Sequence, residues 1–250
     1  MSPRLKLIVA YDGAAFAGWQ SQTHRKTVQD QLEGAFQKIA GQRIRVHGAG
    51  RTDAGVHALA QCAHVELPPG KLDGLKPSSL LKALNANLPA AIRILRCQRV
   101  SGNFHARFSA KGKLYRYRIW NGAILPPLEI GRAWHIAAPL DVDLLKAAGK
   151  NFVGRHDFVS FAANRAKKDE DTIRTIRSVE VRKNGPRLTI NVAGDGFLYK
   201  MVRLIVGAMT RVALHKTEVD EITARLKSPR AEGFRLVAPA EGLYLVQVWY

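Results

Sequence analysis

The sequence predicts an α+β fold built from two tandem βαββαβ halves, at residues 1–104 and 105–250. Short stretches with apolar residues at every second position indicate half-buried strands, and longer stretches with apolar residues at helical spacing indicate amphipathic helices. The order of these stretches repeats after residue 104, although the residues themselves do not. We expect the two sheets to join edge to edge into one extended mixed sheet with the active-site cleft at its centre.

The first half opens with a strand, because Leu5, Leu7 and Val9 alternate along one face until Asp12-Gly13 interrupts the pattern. Thr27 is a suitable N-cap, and the apolar spacing behind it predicts a helix that ends at Gly41. The remaining predicted elements are a strand from about residue 44, a glycine-rich turn at 48–55, a strand at 59–67, a helix from about 78 and a strand at 92–100.

The second half opens with a strand in which Tyr115, Tyr117 and Ile119 share one face. Asn184-Gly185 between two alternating runs is a strong hairpin signal. The elements predicted around them are a helix after residue 141, strands at 173–181 and 188–192, a long helix through 197–212, a short helix near 218 and a strand at 243–250. Halves of this order are ferredoxin/RRM-like, and the order alone does not distinguish an enzyme from a binding module.

Charge points to a nucleic-acid partner. The chain has 39 Lys and Arg against 20 Asp and Glu, a formal net charge of +19 that is spread along its length. Lys and Arg that neutralise phosphates release condensed counterions, so this balance favours a polyanion, although a merely basic surface is the alternative. A candidate RNA-contacting arm is the segment 163–177, which could equally be a solvated loop. Its basic residues are Arg165, Lys167, Lys168, Arg174 and Arg177.

The cysteines and the hydropathy pattern suggest a cytoplasmic protein. Cys62 and Cys97 show neither metal-ligand spacing nor a disulfide framework, so both are expected to be reduced core residues. No run approaches the roughly 18 apolar residues that a membrane span requires, and the N-terminus has no signal-peptide pattern. We therefore expect no membrane partner.

The segment Gly48–His57, GAGRTDAGVH, is the most informative motif. Its glycines permit a tight turn between two strands that could present Arg51 and Asp53 to a cleft. A dinucleotide-binding fingerprint would need glycine where Asp53 stands and a helix where a strand is predicted. An ordinary turn with a solvated Arg is the open alternative.

Five blocks, in order, resemble the tRNA pseudouridine synthase I (TruA) family. They are YDGAAFAGWQSQ (11–22), AGRTDAGVHALAQ (49–61), FHARFSAKGKLYRY (104–117), GDGFLYKMVRLIVG (194–207) and APAEGLYL (238–245). Single blocks are moderately specific, and the ordered set is highly specific. The resemblance covers essentially the whole chain.

The resemblance implies a role for five residues. Asp53 corresponds to the catalytic carboxylate, and Arg203 to the guanidinium that pairs with it. Tyr115 corresponds to the tyrosine that contacts the target base, Arg51 to the arginine that places the flipped nucleotide, and Leu243 to a leucine at the floor of the pocket. From the residues alone, Tyr115 would more readily be a core aromatic and Arg203 a solvent-facing charge.

Two positions depart from the family pattern. Lys113 stands where Arg is more usual, which alters a phosphate contact because Lys lacks the planar fork of Arg. Asn87 interrupts the LNANLP segment. Neither position belongs to the implied catalytic set.

The implied reaction is the conversion of uridines 38, 39 and 40 of the tRNA anticodon stem-loop to pseudouridine by a homodimer without metal or organic cofactor. A carboxylate suits this reaction because it can attack C1′ or remove the C2′ proton, and the sequence leaves both routes open. The alternatives are a non-catalytic RNA-binding protein with two RRM-like halves and a hydrolase of N-glycosidic bonds. The first leaves the GRTDAG turn without a role, and no RNP1 string is present.

Overall fold

A computed structural model describes residues 4–23, 26–67, 70, 72, 74–163, 171–228 and 236–250. Within these residues the chain forms ten strands and five α-helices, which confirms the α+β class. The chain divides into two units. Unit 1 contains residues 1–111 and 244–250, and unit 2 contains residues 112–243.

Unit 1 is organised around one sheet. Its strands are β1 (Arg4–Tyr11), β2 (His47–Gly48), β3 (His57–Glu66), β4 (Ile92–Val100) and β10 (Leu243–Trp249). Strand β1 is central and pairs antiparallel with both β3 and β4, whereas β10 pairs with β3 in parallel. The short β2 pairs with β3, so the chain enters the GRTDAG turn from one strand and leaves it along its neighbour.

Two helices, α1 (Val28–Ala40) and α2 (Pro77–Ala86), supply apolar side chains to the core of unit 1. Helix α1 begins where the Thr27 side chain accepts the Asp30 N–H, and it ends at Gly41, which adopts the left-handed φ of 75° that glycine tolerates best. Leu32 and Phe36 of α1 are fully buried, as are Leu80 and Leu84 of α2 and Leu5 and Leu7 of β1.

Unit 2 also contains a sheet, whose strands are β5 (Gly112–Trp120), β6 (Trp134–His135), β7 (Gly154–Asp157), β8 (Ile173–Asn184) and β9 (Arg187–Gly194). Strands β5, β9, β8 and β7 pair antiparallel in that order, whereas the short β6 pairs with β5 in parallel. Strands β8 and β9 form the predicted hairpin, closed by the pair Asn184–Arg187 with Gly185 at φ 56°. Tyr117 and Ile119 of β5 are buried, as their alternation predicts.

The helices of unit 2 are α3 (Val142–Asn151), α4 (Met201–Ala213) and α5 (Val219–Lys227). Helix α4 is buried along nearly its whole length, with Ile205, Ala208 and Met209 fully inaccessible. A Cβ on Gly207 would lie 2.0 Å from the carbonyl oxygen of Leu236. This glycine therefore allows the chain at residues 236–243 to lie directly against the helix.

Four details differ from expectation. The predicted strand from Ile44 is wrong, because only His47–Gly48 is a strand. Phe197 precedes α4, whose N-cap, Lys200, is left-handed at φ 58°. The strands β6 and β7 were not predicted. The last strand pairs with β3 of unit 1, so the units differ from the expected division at 104/105 in residues 105–111 and 244–250.

Three of the expected arm residues, Arg165, Lys167 and Lys168, lie outside the described residues, while Arg174 and Arg177 lie on β8. Cys62 and Cys97 are free thiols, as predicted, but only Cys62 is buried in the core, because Cys97 is half-buried on β4. No helix among the described residues is long and apolar enough to cross a membrane. How the two sheets are joined stays a prediction.

The close approach at Gly207 yields a stability prediction. Gly207→Ala should lower the free energy of unfolding by about 1–3 kcal/mol, because the added methyl must displace the backbone at Leu236. Gly34→Ala is the matched control, since a Cβ at this helical position of α1 meets nothing within 4 Å and should stabilise by about 0.5–1 kcal/mol. Urea denaturation of both variants measures the difference, and equal effects would contradict the packing argument.

Candidate active site

The catalytic carboxylate implied by the motif lies in a turn between β2 and β3. Asp53 is half-buried, and its carbonyl oxygen accepts the Val56 N–H at 3.1 Å. Gly55 has φ 80°, which places the bend in the left-handed region that non-glycine residues rarely adopt. The turn therefore depends on its own glycine for its shape.

A second loop, residues 12–20, packs directly against this turn and supports it. Trp19 is 2% exposed, and its backbone N–H donates to the Thr52 carbonyl at 3.0 Å. A Cβ on Gly18 would lie 2.7 Å from that same carbonyl oxygen, and one on Gly13 would lie 2.1 Å from the carbonyl oxygen of Val56. The aromatic, glycine-rich YDGAAFAGWQ block is thus a backbone support for the Asp53 turn.

A buried hydroxyl pair fastens the same turn to the sheet. Tyr11 and Thr52 are 5% and 7% exposed, and their side-chain oxygens lie 2.8 Å apart. On the other side of the turn, Gln61 is fully buried and its Nε2 donates to the Gly50 carbonyl at 2.9 Å. The backbone that carries Asp53 is therefore held at Gly50 and again at Thr52.

The Arg51 side chain is oriented by a chain of amides. Its Nε donates to Gln20 Oε1 at 3.2 Å, and Gln20 Nε2 donates to Gln29 Oε1 at 2.9 Å. Gln29 Nε2 donates in turn to Glu33 Oε1 at 2.8 Å. Gln29 and Glu33 are nearly inaccessible, and Glu33 is also paired with Arg43 at 2.6 Å. Arg51 is exposed, yet its Nε is held by a network that begins inside helix α1.

Unit 2 contains the other three residues implied by the resemblance. Tyr115 on β5 is 7% exposed and packs edge to face against Phe197, with ring centroids 5.1 Å apart. Arg203 lies in the first turn of α4 and is half-buried, and its Nε donates to the Ala238 carbonyl at 2.7 Å. Leu243 is 6% exposed at the start of β10. Arg203 is therefore not a simple solvent-facing charge.

The segment 236–243 links these elements. Tyr117, two residues after Tyr115 on the same face of β5, donates its hydroxyl to the Pro239 carbonyl at 2.7 Å. A Cβ on Gly242 would lie 2.6 Å from the Tyr117 ring, so only glycine fits there. Burial raises the pKa of Tyr117, an effect that the positive charge of Arg203 partly offsets. Tyr117 is therefore a neutral hydrogen-bond donor that holds the segment leading to Leu243 in place.

The predicted site residues therefore fall into two sets. Asp53 and Arg51 belong to unit 1, while Tyr115, Arg203 and Leu243 belong to unit 2. The pairing of Asp53 with Arg203, and the role of each residue, stay predictions. The supporting residues Gln20, Gln29 and Gln61 were not predicted. Gln20 and Gln61 stand inside the motif blocks, which was the one available signal.

Of the two departures from the family pattern, Asn87 has a structural explanation. Asn87 is the C-cap of α2, and its side-chain amide donates to the Ala83 carbonyl at 2.9 Å. Lys113 is half-buried on β5, in register with Gly194 of β9.

The described residues contain no group of three or more His, Cys, Asp or Glu able to hold a metal ion.

Known relatives match almost the whole chain, and their names are those of RNA-modifying enzymes. The tRNA pseudouridine synthase A of Acetivibrio thermocellus is 40% identical over 246 residues, covering 98% of this chain and 99% of the relative. That of Akkermansia muciniphila is 42% identical over 253 residues, covering 99% and 95%. That of Bradyrhizobium sp. is 41% identical over 251 residues, covering 99% and 100%.

The family model for tRNA pseudouridine synthase matches residues 7–109 and 148–250. The first matched segment contains the Asp53 turn and the loop that supports it, and the second contains Arg203 and Leu243. The chain belongs to the tRNA pseudouridine synthase family. The resemblance noted in the sequence is therefore confirmed.

The hydroxyl pair beneath the turn is testable by a double-mutant cycle. Tyr11→Phe and Thr52→Val should each lower the free energy of unfolding by about 1–2 kcal/mol, because each leaves a buried hydroxyl without this partner. The double variant should cost about 1 kcal/mol less than the sum of the two. Chemical denaturation of the four proteins gives the coupling energy, and strict additivity would mean that the two hydroxyls do not interact.

Proposed function

We propose that the protein isomerises uridine to pseudouridine in tRNA, at positions 38, 39 and 40 of the anticodon stem-loop, with Asp53 as the catalytic carboxylate. The observation that carries the proposal is the placement of Asp53 on a turn whose backbone is held at Gly50 and Thr52. A merely solvated turn needs no such support, whereas a catalytic carboxylate must be preorganised. Membership of the family supplies the reaction class.

The reaction is redox-neutral and conserves every atom. The N1–C1′ bond of the nucleoside breaks, the uracil turns, and C5 joins C1′ while the C5 proton is lost and N1 is protonated. Asp53 supplies the electron pair, either by attack on C1′ or by removal of the C2′ proton. Either route requires the ionised carboxylate, and we assign Arg203 as the cation that pairs with it.

The other site residues act on the nucleotide. Arg51, aimed by Gln20 and the amide chain behind it, is suited to hold a flipped nucleotide through its phosphate. Tyr115 has a ring that packing holds in place, which suits contact with the displaced base. Leu243, at the end of the fixed segment 236–243, is proposed as the apolar floor of the pocket. The cost of extruding the base, a few kcal/mol, is met by contacts between phosphates and the basic surface.

We propose further that the protein acts in the cytoplasm as a homodimer. The 121–133 segment of unit 2 supports a dimer, because its large apolar side chains Ile124, Leu128 and Ile130 are 81%, 87% and 64% exposed. The segment is ordered around Glu129, a nearly buried carboxylate that pairs with Arg118 at 2.6 Å and with Arg187 at 3.2 Å. Exposed apolar residues on an ordered loop are typical of an interface.

This surface gives a prediction about assembly. Leu128→Glu should shift the protein from dimer toward monomer in sedimentation velocity, since a charge in an apolar interface must be desolvated on association. Leu95→Glu on β4 is the matched control, because Leu95 is also an exposed leucine, at 53%. A wild-type protein that sediments as a monomer would refute the dimer, and a dimeric Leu128→Glu variant would remove this segment from the interface.

The role of Asp53 is tested by Asp53→Asn, which keeps the size of the side chain and removes its charge. Pseudouridine formation on an unmodified tRNA transcript should fall to background, while the Kd for tRNA should change by less than about three-fold. Asp143→Asn is the control, because the Asp143 side chain is 92% exposed on α3. Melting curves for both variants establish that each is folded. Near wild-type turnover by folded Asp53→Asn would refute the assignment.

The same assay separates the alternative functions on the wild-type protein. A synthase converts uridine to pseudouridine within the RNA, a glycosidic-bond hydrolase releases free uracil, and a non-catalytic RNA-binding protein does neither. Because uridine and pseudouridine have the same mass, chromatographic separation of the nucleosides in the RNA digest, together with chromatography of the supernatant, distinguishes the three outcomes.

A further inference from the structure

Phe108 in unit 1 is an exposed aromatic side chain, with 78% of its surface accessible. Leaving a large apolar ring in water forgoes the stabilisation that burial would supply, about 25 cal/mol per Å² of apolar surface. The ring is nevertheless not loose, because it stacks on His105 with a centroid distance of 4.3 Å and an interplanar angle of 29°. One face of Phe108 is thus backed by a second flat ring.

The backbone around this pair is fixed by local hydrogen bonds. His105 Nδ1 accepts the backbone N–H groups of Arg107 at 3.1 Å and of Phe108 at 3.2 Å. The Ser109 hydroxyl oxygen accepts the His105 N–H at 3.0 Å, and the Ser109 N–H donates to the His105 carbonyl at 2.9 Å. The imidazole therefore sets the orientation of the residue that stacks on it.

Contacts with buried residues of unit 1 also hold the 105–109 loop in place. Ala106 is fully buried, its N–H donates to His64 Nδ1 at 3.2 Å, and its carbonyl accepts the Tyr250 hydroxyl at 2.8 Å. Its side chain packs in a small apolar cluster with Ala49 and Cys62. Because the loop is already ordered, it loses little conformational entropy when a ligand binds to it.

The electrostatics of the loop suit an anionic ligand with an aromatic part. Burial lowers the pKa of His105, and the neighbouring His47, Arg4 and Arg107 lower it further, so the imidazole stays neutral at pH 7. A neutral ring is consistent with Nδ1 acting as an acceptor. Arg107 is exposed, and its guanidinium lies 5.9 Å from the Phe108 centroid. The loop thus presents an aromatic face beside a fixed positive charge.

We propose that Phe108, backed by His105 and flanked by Arg107, is a stacking platform for an unpaired nucleobase of the bound tRNA. The inference rests on the proposed function only in taking RNA as the ligand, and it places a contact on a different loop from the Asp53 turn. Base–aromatic stacking tolerates any base because each has a flat π face, while the guanidinium takes an adjoining phosphate. A protein partner would not require that charge.

The test measures tRNA affinity and chemistry separately. Phe108→Ala should weaken binding of an unmodified tRNA transcript roughly 5- to 150-fold, the range for loss of one base–aromatic stack. Phe108→Trp should keep wild-type affinity, and the fluorescence of the new indole should be quenched when tRNA binds. Leu95→Ala, a truncation at another exposed apolar position of unit 1, should leave affinity unchanged. With saturating RNA, the single-turnover rate of Phe108→Ala should match that of wild type.

Wild-type RNA affinity in folded Phe108→Ala would overturn the platform. If that variant also changed its molecular mass in sedimentation, Phe108 would be an interface residue. If instead its single-turnover rate were slower, Phe108 would act in the chemistry. Failure of the proposed function is distinguishable, because a wild-type protein that binds tRNA without forming pseudouridine would refute the function and leave the stacking result readable.

Discussion

The 12–20 loop lies so close to the Asp53 turn that a side chain at the contact positions would collide with backbone or with a ring. A Cβ on Gly13 or Gly18 would overlap a carbonyl oxygen of the turn, and a Cβ on Gly48 would lie 2.6 Å from the indole of Trp19. Each glycine has a conformational cost in the unfolded chain, because it has more freedom to lose on folding. That cost is offset by close backbone packing, which supports the turn together with the side-chain hydrogen bonds of Gln61 and Tyr11.

Close packing at glycines also positions the segments of unit 2 that carry residues of the proposed site. Gly207 admits the backbone at Leu236 against helix α4, and Gly242 admits the ring of Tyr117 against the segment that leads to Leu243. Arg203 and Ala238 then exchange two hydrogen bonds, with the Ala238 N–H donating to the Arg203 carbonyl at 3.1 Å. In both units the side chains of the proposed site are carried by segments whose backbones are positioned by close packing. Small displacements are costly in such packing, since cores tolerate neither overlap nor voids.

The sequence predicts those elements that depend on neighbouring residues and fails for those that depend on residues distant in the chain. Strand β1 and helix α1 were predicted because alternation, helical spacing and the caps Thr27 and Gly41 are properties of neighbouring residues. The strand expected from Ile44 fails for a non-local reason. The Val46 N–H donates to Glu33 Oε1 at 3.1 Å, and its carbonyl accepts Gln29 Nε2 at 3.2 Å. The alternation there is real and its residues are buried, yet side chains of α1 occupy the hydrogen-bonding groups that a strand would use.

Partners distant in sequence account for the other differences. The pairing of the last strand with β3 joins residues almost two hundred positions apart, and no pattern within residues 243–250 specifies it. In the site, the motif blocks identified Asp53 and Arg51 but gave no roles to Gln20 and Gln61. An amide has no charge and no characteristic spacing, so its function is defined only by the two groups that it joins in space.

Tyr115 can be a packed residue of the core and a residue of the proposed site at the same time. Alternation puts Tyr115, Tyr117 and Ile119 on one face of β5, and their exposures fall from 7% at Tyr115 to 0% and 1% at the other two. Tyr117 is the structural member, since its hydroxyl is committed to Pro239 and its ring to Gly242. Tyr115 stands nearer the start of the strand, where its ring is braced by Phe197 and retains some accessible surface. Strand alternation therefore orients the Tyr115 ring, and packing against Phe197 holds it, while its role toward a ligand stays a proposal.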